Sequence, residues 1–351
     1  MDFAQKLISW YLPNKRDLPW RNTNDPYKIW LSEIILQQTR VEQGLPYYLK
    51  LLESFPTVKD LANAPIDKVL KLWQGLGYYS RARNLHFAAQ TVCSNYNGHF
   101  PESYDELKKL KGIGDYTAAA IASFSFNKAH AVVDGNVYRV ISRYFDIETP
   151  IDSSAGKTLF NALANELIDK KNPAIYNQAI MEFGATYCKP QSPDCTRCIF
   201  SETCLANRNK KVAQLPVKEK STKVKERYFY YFILKHREKI FLKKRTAKDI
   251  WQGLYEFPLV EMPQKAKIDK VLKSDEFINI FSGTYILKSV SETYKHILSH
   301  QHIYASFIEL EITQSKNSSI VFEKSKKEKL HQYAIPRLIE RYLKEKNYFT
   351  D

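Results

Sequence analysis

Four of the chain's five cysteines fall in one short stretch, Cys188, Cys195, Cys198 and Cys204, with gaps of six, two and five residues. A two-residue gap lets neighbouring thiolates bind one centre from a turn, and the flanking gaps close a compact loop around it. Zinc also takes four thiolates, but its sites more often pair two such knuckles, and this loop has one. A tight group of four thiols with no secretory signal is better read as a metal or cluster site than as disulfides. The spacing supplies four ligands and leaves the metal open.

Two carboxylates sit where acid–base chemistry could use them. Asp134 follows the apolar run Ala129–Val133 and precedes Gly135. Glu33 falls in Ile29-Trp30-Leu31-Ser32-Glu33-Ile34-Ile35-Leu36-Gln37-Gln38-Thr39, and on a helix it shares its face with Ile29, Trp30, Leu36 and Gln37. An apolar setting penalises ionisation and raises the pKa, as a general acid at neutral pH requires. Between them lies Leu110-Lys111-Gly112-Ile113-Gly114-Asp115-Tyr116, just before an apolar helix. Gly112 and Gly114 permit a tight turn with N–H groups facing outward, which suits a phosphate. A lone Gly-x-Gly is a weak signal; Asp134-Gly135-Asn136-Val137 some twenty residues on strengthens it.

The elements that must position these residues are mostly helical as far as about Ala206. Apolar residues recur at three- and four-residue spacing in Ile29–Gln38, Leu85–Cys93, Thr117–Phe126 and Leu159–Ile168. Residues 207–227 are polar and Lys-rich and read as a linker. Beyond it the composition turns β-like, with strands expected at Tyr228–Leu234, Ile240–Lys243 and Ile303–Leu310. Two helices should punctuate that part, the last over Ile335–Lys346. The fold class expected is a mainly α N-terminal domain, 1–206, and an α+β C-terminal domain, 228–351.

A formal charge of +15 points to a polyanionic partner, since clustered Lys and Arg gain by displacing counterions from phosphates. The N-terminus lacks the basic start and unbroken apolar run of a signal peptide, and no stretch approaches the roughly 20 apolar residues of a membrane span. A cytoplasmic protein, nucleoid-associated if bacterial and with no membrane partner, is the expectation.

The cysteine spacing, the Gly112–Gly114 hairpin and Asp134 together resemble the endonuclease III superfamily of DNA repair glycosylases. Glu33 with Leu36-Gln37-Gln38-Thr39, Asp17-Leu18-Pro19-Trp20-Arg21, Gly75-Leu76-Gly77-Tyr78-Tyr79-Ser80-Arg81 and Val133-Asp134-Gly135-Asn136-Val137 resemble the signatures of MutY-type adenine DNA glycosylases. The resemblance implies a helix–hairpin–helix catalytic domain whose cysteine loop, 188–204, holds a structural [4Fe–4S] cluster. It implies that Glu33 protonates adenine N7, that Asp134 stabilises the oxocarbenium ion, and that Tyr116 and Asn136 position them. Gln38 and Leu76, with Arg21 near the pocket, would contact bases or hold the duplex open. Gln37, Thr39 and Tyr78 belong to the same DNA- and base-binding set. Such chemistry needs a base outside the stack, a proton for the leaving base and an anion beside the sugar.

Tyr116 separates readings within the superfamily. Bifunctional glycosylase–lyases carry a Schiff-base lysine at this point, and a phenol cannot form an imine. Trp251-Gln252-Gly253-Leu254-Tyr255-Glu256-Phe257-Pro258 resembles the Nudix-like C-terminal domain of the family, without the acidic helix of a Nudix hydrolase. There Ser299 and His300 would read 8-oxoguanine, although Leu298 stands where most members carry Phe. The expected function is a monofunctional, monomeric adenine glycosylase acting on double-stranded DNA at A:8-oxoguanine or A:G pairs. The alternatives are an endonuclease III-like pyrimidine glycosylase–lyase and a non-catalytic DNA-binding protein.

Overall fold

A computed structural model describes residues 2–219, 224–315 and 322–348. The chain forms two compact units, one of Met1–Asn63 with Asn84–Lys220, the other of Ala64–Arg83 with Ser221–Asp351. The second therefore takes a segment from within the helical part of the sequence.

The helices in chain order are α1 Phe3–Asn14, α2 Pro26–Leu36, α3 Val41–Ser54, α4 Val58–Asn63, α5 Ile66–Trp73, α6 Ser80–Tyr96, α7 Tyr104–Lys109, α8 Asp115–Phe126, α9 Gly135–Phe145, α10 Ser154–Leu167, α11 Pro173–Glu182 and α12 Leu205–Arg208. In the first unit α2 packs on α3 and α8, and α11 on α1, α8 and α9. Ile29 to Ile35 of α2 and Thr117 to Ser123 of α8 are buried throughout, so these are core helices and not amphipathic surface ones. Helix α2 ends at Leu36, two residues short of the apolar periodicity, because Gln37 caps it and Gln38 turns to φ +55°. After α11 the chain makes a π turn, Phe183–Tyr187, closed by Cys188 N donating to Phe183 O at 2.8 Å.

The expected linker is partly structured. Val217 O accepts from Ile151 N, Glu219 N donates to Asp152, and Leu215 is buried, its carbonyl accepting from Arg143. An apolar anchor and three hydrogen bonds thus hold residues that composition marks only as polar.

The second unit contains the strands β1 Lys225–His236, β2 Lys239–Lys244, β3 Tyr255–Glu256, β4 Leu259–Met262, β5 Gly283–Val290, β6 Tyr294–Ile297, β7 Gln301–Ser315 and β8 Glu323–Lys326. They form one mixed sheet in which β1 and β7 run parallel. Three α-helices appear where two were expected: α13 Ile268–Leu272, α14 Asp275–Ile280 and α15 Arg337–Glu345. One sheet face buries Phe232, Leu234, Ile308 and Leu310 against Val271 and Phe277 of α13 and α14. On the other, Phe307 stacks on Tyr342 of α15 at 4.0 Å. Helix α5 and the turn after it belong here: Lys244 pairs with Asp67, Lys71 donates to Tyr333 O, Ile335 N donates to Gln74, and Arg83 donates to Gln252 O.

Candidate active site

In the first unit, Arg21, Glu33, Gln37, Gln38, Thr39, Tyr116, Asp134 and Asn136 all line one cavity of about 740 Å³. Glu33 reaches it from buried α2, and Tyr116 from the first turn of α8. The Tyr116 hydroxyl donates to Glu33 Oε2 at 2.6 Å. Burial raises the Glu33 carboxyl from 4.5 to about 7; the Tyr116 hydrogen bond and Arg21 oppose the rise, while the Asp134 charge adds to it. A carboxyl balanced near neutrality can hold a proton and still release it. Tyr116 itself is held well above the ordinary phenol range, by burial first and then by the two carboxylates.

Asp134 caps α9, accepting from Asn136 N at 2.9 Å and Val137 N at 2.8 Å, with Asn136 Nδ2 on its other oxygen at 2.7 Å. Burial raises its pKa, and these donors and Arg139 pull against the rise. The helix N-terminus and these N–H groups favour the anionic form of Asp134.

Three groups of this cavity carry no motif of their own. Glu182, wholly buried at the end of α11, accepts from Arg16 Nε and Nη2, both at 2.7 Å, and from Arg21 Nη2 at 2.6 Å. Burial alone would raise Glu182, but the Arg16 and Arg21 hydrogen bonds outweigh it and hold the carboxyl at about 2. Arg139 is the third. Its Nη2 donates to Asn136 Oδ1 at 2.8 Å and Gly184 O at 2.6 Å, and its Nε to Cys188 O at 2.8 Å. Gly184 has no room for a side chain there, since a Cβ would come within 2.7 Å of Asn136 Cβ. The sequence offered only the Asp17–Arg21 signature as a pointer to this wall.

The hairpin sits between α7 and α8. Gly112 is at φ +82° with Asn84 close behind it, so glycine is required; Gly114 caps α8 and faces open space.

Cys188, Cys195, Cys198 and Cys204 line a second cavity, otherwise walled mainly by apolar side chains such as Val140, Phe183 and Phe200. Burial raises the Cys198 thiol to about 11, and the neighbouring thiols add to the rise. Phe200 N donates to Cys198 Sγ at 3.4 Å and Arg143 Nη1 to Cys188 Sγ at 3.5 Å. N–H donors aimed at half-buried sulfurs suit thiolate ligands. Among the described residues, no three His, Cys, Asp or Glu side chains are gathered to hold a single metal ion.

The remaining expected site residues lie in the second unit. The Tyr78 hydroxyl is 3.3 Å from Ser299 Oγ, and Ser299 Oγ is 3.3 Å from His300 Nδ1. Tyr78 is 45% exposed at φ +46°, whereas Leu76 is buried at 6%.

Residues 31–165 match the HhH-GPD superfamily of base excision DNA repair proteins, and residues 229–345 the NUDIX domain. An adenine DNA glycosylase of Buchnera aphidicola is 37% identical over 268 residues, covering 76% of each chain. The chain belongs to the adenine DNA glycosylase family. A thermostable thymine-DNA glycosylase structure aligns with a TM-score of 0.55 at 30% identity, covering 59% of this chain and 95% of that one. An endonuclease III–DNA complex, at 24% identity and TM-score 0.51 over 59% of this chain and 94% of its own, shares the fold.

Proposed function

We propose that this protein removes adenine from double-stranded DNA by hydrolysing its N-glycosidic bond, acting on adenine opposite 8-oxoguanine and secondarily opposite G. The observation that carries the reading is the Tyr116-supported Glu33, poised at about 7, in one cavity with Asp134. With adenine flipped in, Glu33 gives its proton to N7 as the C1′–N9 bond breaks and the bonding electrons pass to the base. The ionised Asp134 stands beside the oxocarbenium ion until a water oxygen bonds C1′ and loses its proton. The Arg16 and Arg21 guanidiniums, held by the buried Glu182 carboxylate, offer donors of the kind that adenine's ring nitrogens accept.

No lysine lines the cavity, which supports base removal without a Schiff base. The four cysteines would hold a [4Fe–4S] cluster; their sulfurs surround a cavity rather than closing on a point. When bound, the cluster supplies a structural anchor for the loop between α11 and α12. Ser299 and His300 are the lesion-reading pair, with Tyr78 against Ser299. The enzyme acts as a monomer on cytoplasmic DNA.

Single-turnover excision from duplexes with A opposite 8-oxoguanine and A opposite G tests this, with Asp134→Asn as control. Wild type should release adenine and leave a strand uncut until alkali; Asp134→Asn should fall by roughly 10²-fold or more. Ser299→Ala with His300→Ala should narrow the preference for 8-oxoguanine. Borohydride-trapped protein–DNA adducts forming as fast as excision would overturn the monofunctional reading, and equal discrimination in the double variant the lesion-reading one.

A further inference from the structure

Gln301 opens β7, next in the chain to Ser299 and His300, and it is buried at 5% exposure. A buried amide must give its oxygen to a donor and its N–H groups to acceptors. On its inner side stands Arg227 of β1, whose five N–H groups are all engaged. Nε and Nη2 donate to Glu261 at 2.8 and 2.7 Å, and Nη1 and Nη2 to Asp249 at 3.1 and 3.2 Å. The fifth, on Nη1, reaches Gln301 Oε1 at 3.3 Å. Glu261 comes from β4, Asp249 also pairs with Arg245, and the Phe229 ring lies 4.7 Å from the guanidinium. The arginine is thus held from three sides.

This fixes the rest by elimination. An arginine only donates, so the Gln301 oxygen must face it. Gln301 Nε2 then faces His300 Nε2, 3.1 Å away. An amide nitrogen only donates, so that ring nitrogen accepts and carries no proton. The imidazole proton therefore sits on Nδ1 and points at Ser299 Oγ, 3.3 Å away. The backbone pins the turn as well: Leu298 N donates to Gln301 O at 2.9 Å and Lys225 N to His300 O at 3.1 Å.

We propose that Gln301 is a positioning residue that sets the His300 tautomer, and so leaves Ser299 the proton it needs to read guanine as well as 8-oxoguanine. The inference rests on the lesion-reading role proposed above for Ser299 and His300. A hydroxyl that accepts from His300 keeps its own proton, and its bond to Tyr78 Oη at 3.3 Å can run either way. When Ser299 donates to Tyr78, a lone pair is left for the N7–H that 8-oxoguanine carries. When Tyr78 donates to Ser299, the Ser299 proton is left for the bare N7 of guanine. The opposite tautomer would take the Ser299 proton onto His300 Nδ1. A hydroxyl that can only accept has nothing to offer guanine N7. Tolerance of A opposite G is then set by an amide inside the sheet.

The test labels the histidines of the full chain with nitrogen-15 and reads the tautomer by two-bond proton–nitrogen correlation. A His300→Gln variant assigns the His300 signals. Spectra are taken at about pH 8.5, above the range in which imidazole ordinarily titrates. Wild type should show His300 protonated on Nδ1. Gln301→Glu replaces the donor facing His300 by an acceptor and keeps one for Arg227, so the proton should move to Nε2. At the same pH, subsaturating single-turnover assays compare excision opposite 8-oxoguanine with excision opposite G. Their ratio should rise at least about tenfold in Gln301→Glu, through loss of the G substrate. Gln301→Met, uncharged and of similar length, guards against a folding defect: it should give mixed tautomers and an intermediate ratio. A passive core residue would move neither tautomer nor ratio. Wild-type His300 protonated on Nε2, or a Gln301→Glu spectrum like wild type, overturns the proposal without reference to DNA. A reversed tautomer with an unchanged ratio overturns it too, when the Ser299→Ala, His300→Ala double variant narrows the preference. Should that double variant change nothing, the lesion-reading role itself has failed and the proposal falls with it.

Discussion

Glu33 concentrates the function in one titration. As the proposed general acid it must hold its proton for transfer, so excision should be level at acidic pH and fall as pH rises through about 7. Glu33→Gln should lower single-turnover excision by ~10²–10⁴-fold and remove that limb. The same residue taxes stability with a definite sign. Its folded pKa lies above the unfolded value, so the contribution is full below 4.5 and is lost as pH rises through about 7. Glu33→Gln should therefore gain on wild type between pH 5 and 8 by at most roughly 3 kcal/mol, measured by denaturant unfolding. Tyr116→Phe removes a donor that favours the ionised carboxylate, so its pH limb should move upward from wild type. The apolar neighbours of Glu33 were legible because i, i+3 and i+4 lie on one helix face. Glu182 was not: its arginine partners Arg16 and Arg21 are 166 and 161 positions away, and no periodicity carries that distance.

At the scale of elements, α9 joins two sites. Asp134 caps it, and Arg139, one turn in, ties Asn136 to the carbonyl of Cys188. Arg139→Leu would strip donors from Asn136 Oδ1, Gly184 O and Cys188 O together. Excision should fall by at least about tenfold, with occupancy of the proposed cluster and affinity for plain duplex changed far less. Equal losses in all three would mean that the arginine only holds the loop folded. Four helices, α2, α6, α8 and α10, were legible from apolar repeats largely within their bounds. Their ends were not: α2 stops at Leu36, inside the Ile29–Gln38 pattern, because Gln38 turns to φ +55°. Nor was the ordered part of the linker, where nothing in the sequence sets Leu215, the buried anchor, apart from half-buried Val212 and Val217.

For the whole molecule the net charge of +15 sets the encounter with DNA. If six to ten phosphates are engaged, affinity for any duplex should drop ~10³–10⁵-fold between 50 and 200 mM salt. Excision at saturating protein should not change, because the cavity groups are buried and poorly screened. Fluorescence anisotropy beside single-turnover assays separates the two. The division into a helical and a β-rich part could be read from composition, and so could the sign of the charge. The assignment of Ala64–Arg83 to the second unit could not, because a helical pattern does not say which core its apolar face will join. That assignment has a consequence in time. Asp67, Lys71, Gln74 and Arg83 leave the ribosome long before Lys244, Gln252, Tyr333 and Ile335, to which they bond in the finished fold. At ordinary synthesis rates the wait is on the order of tens of seconds, during which those four contacts cannot form.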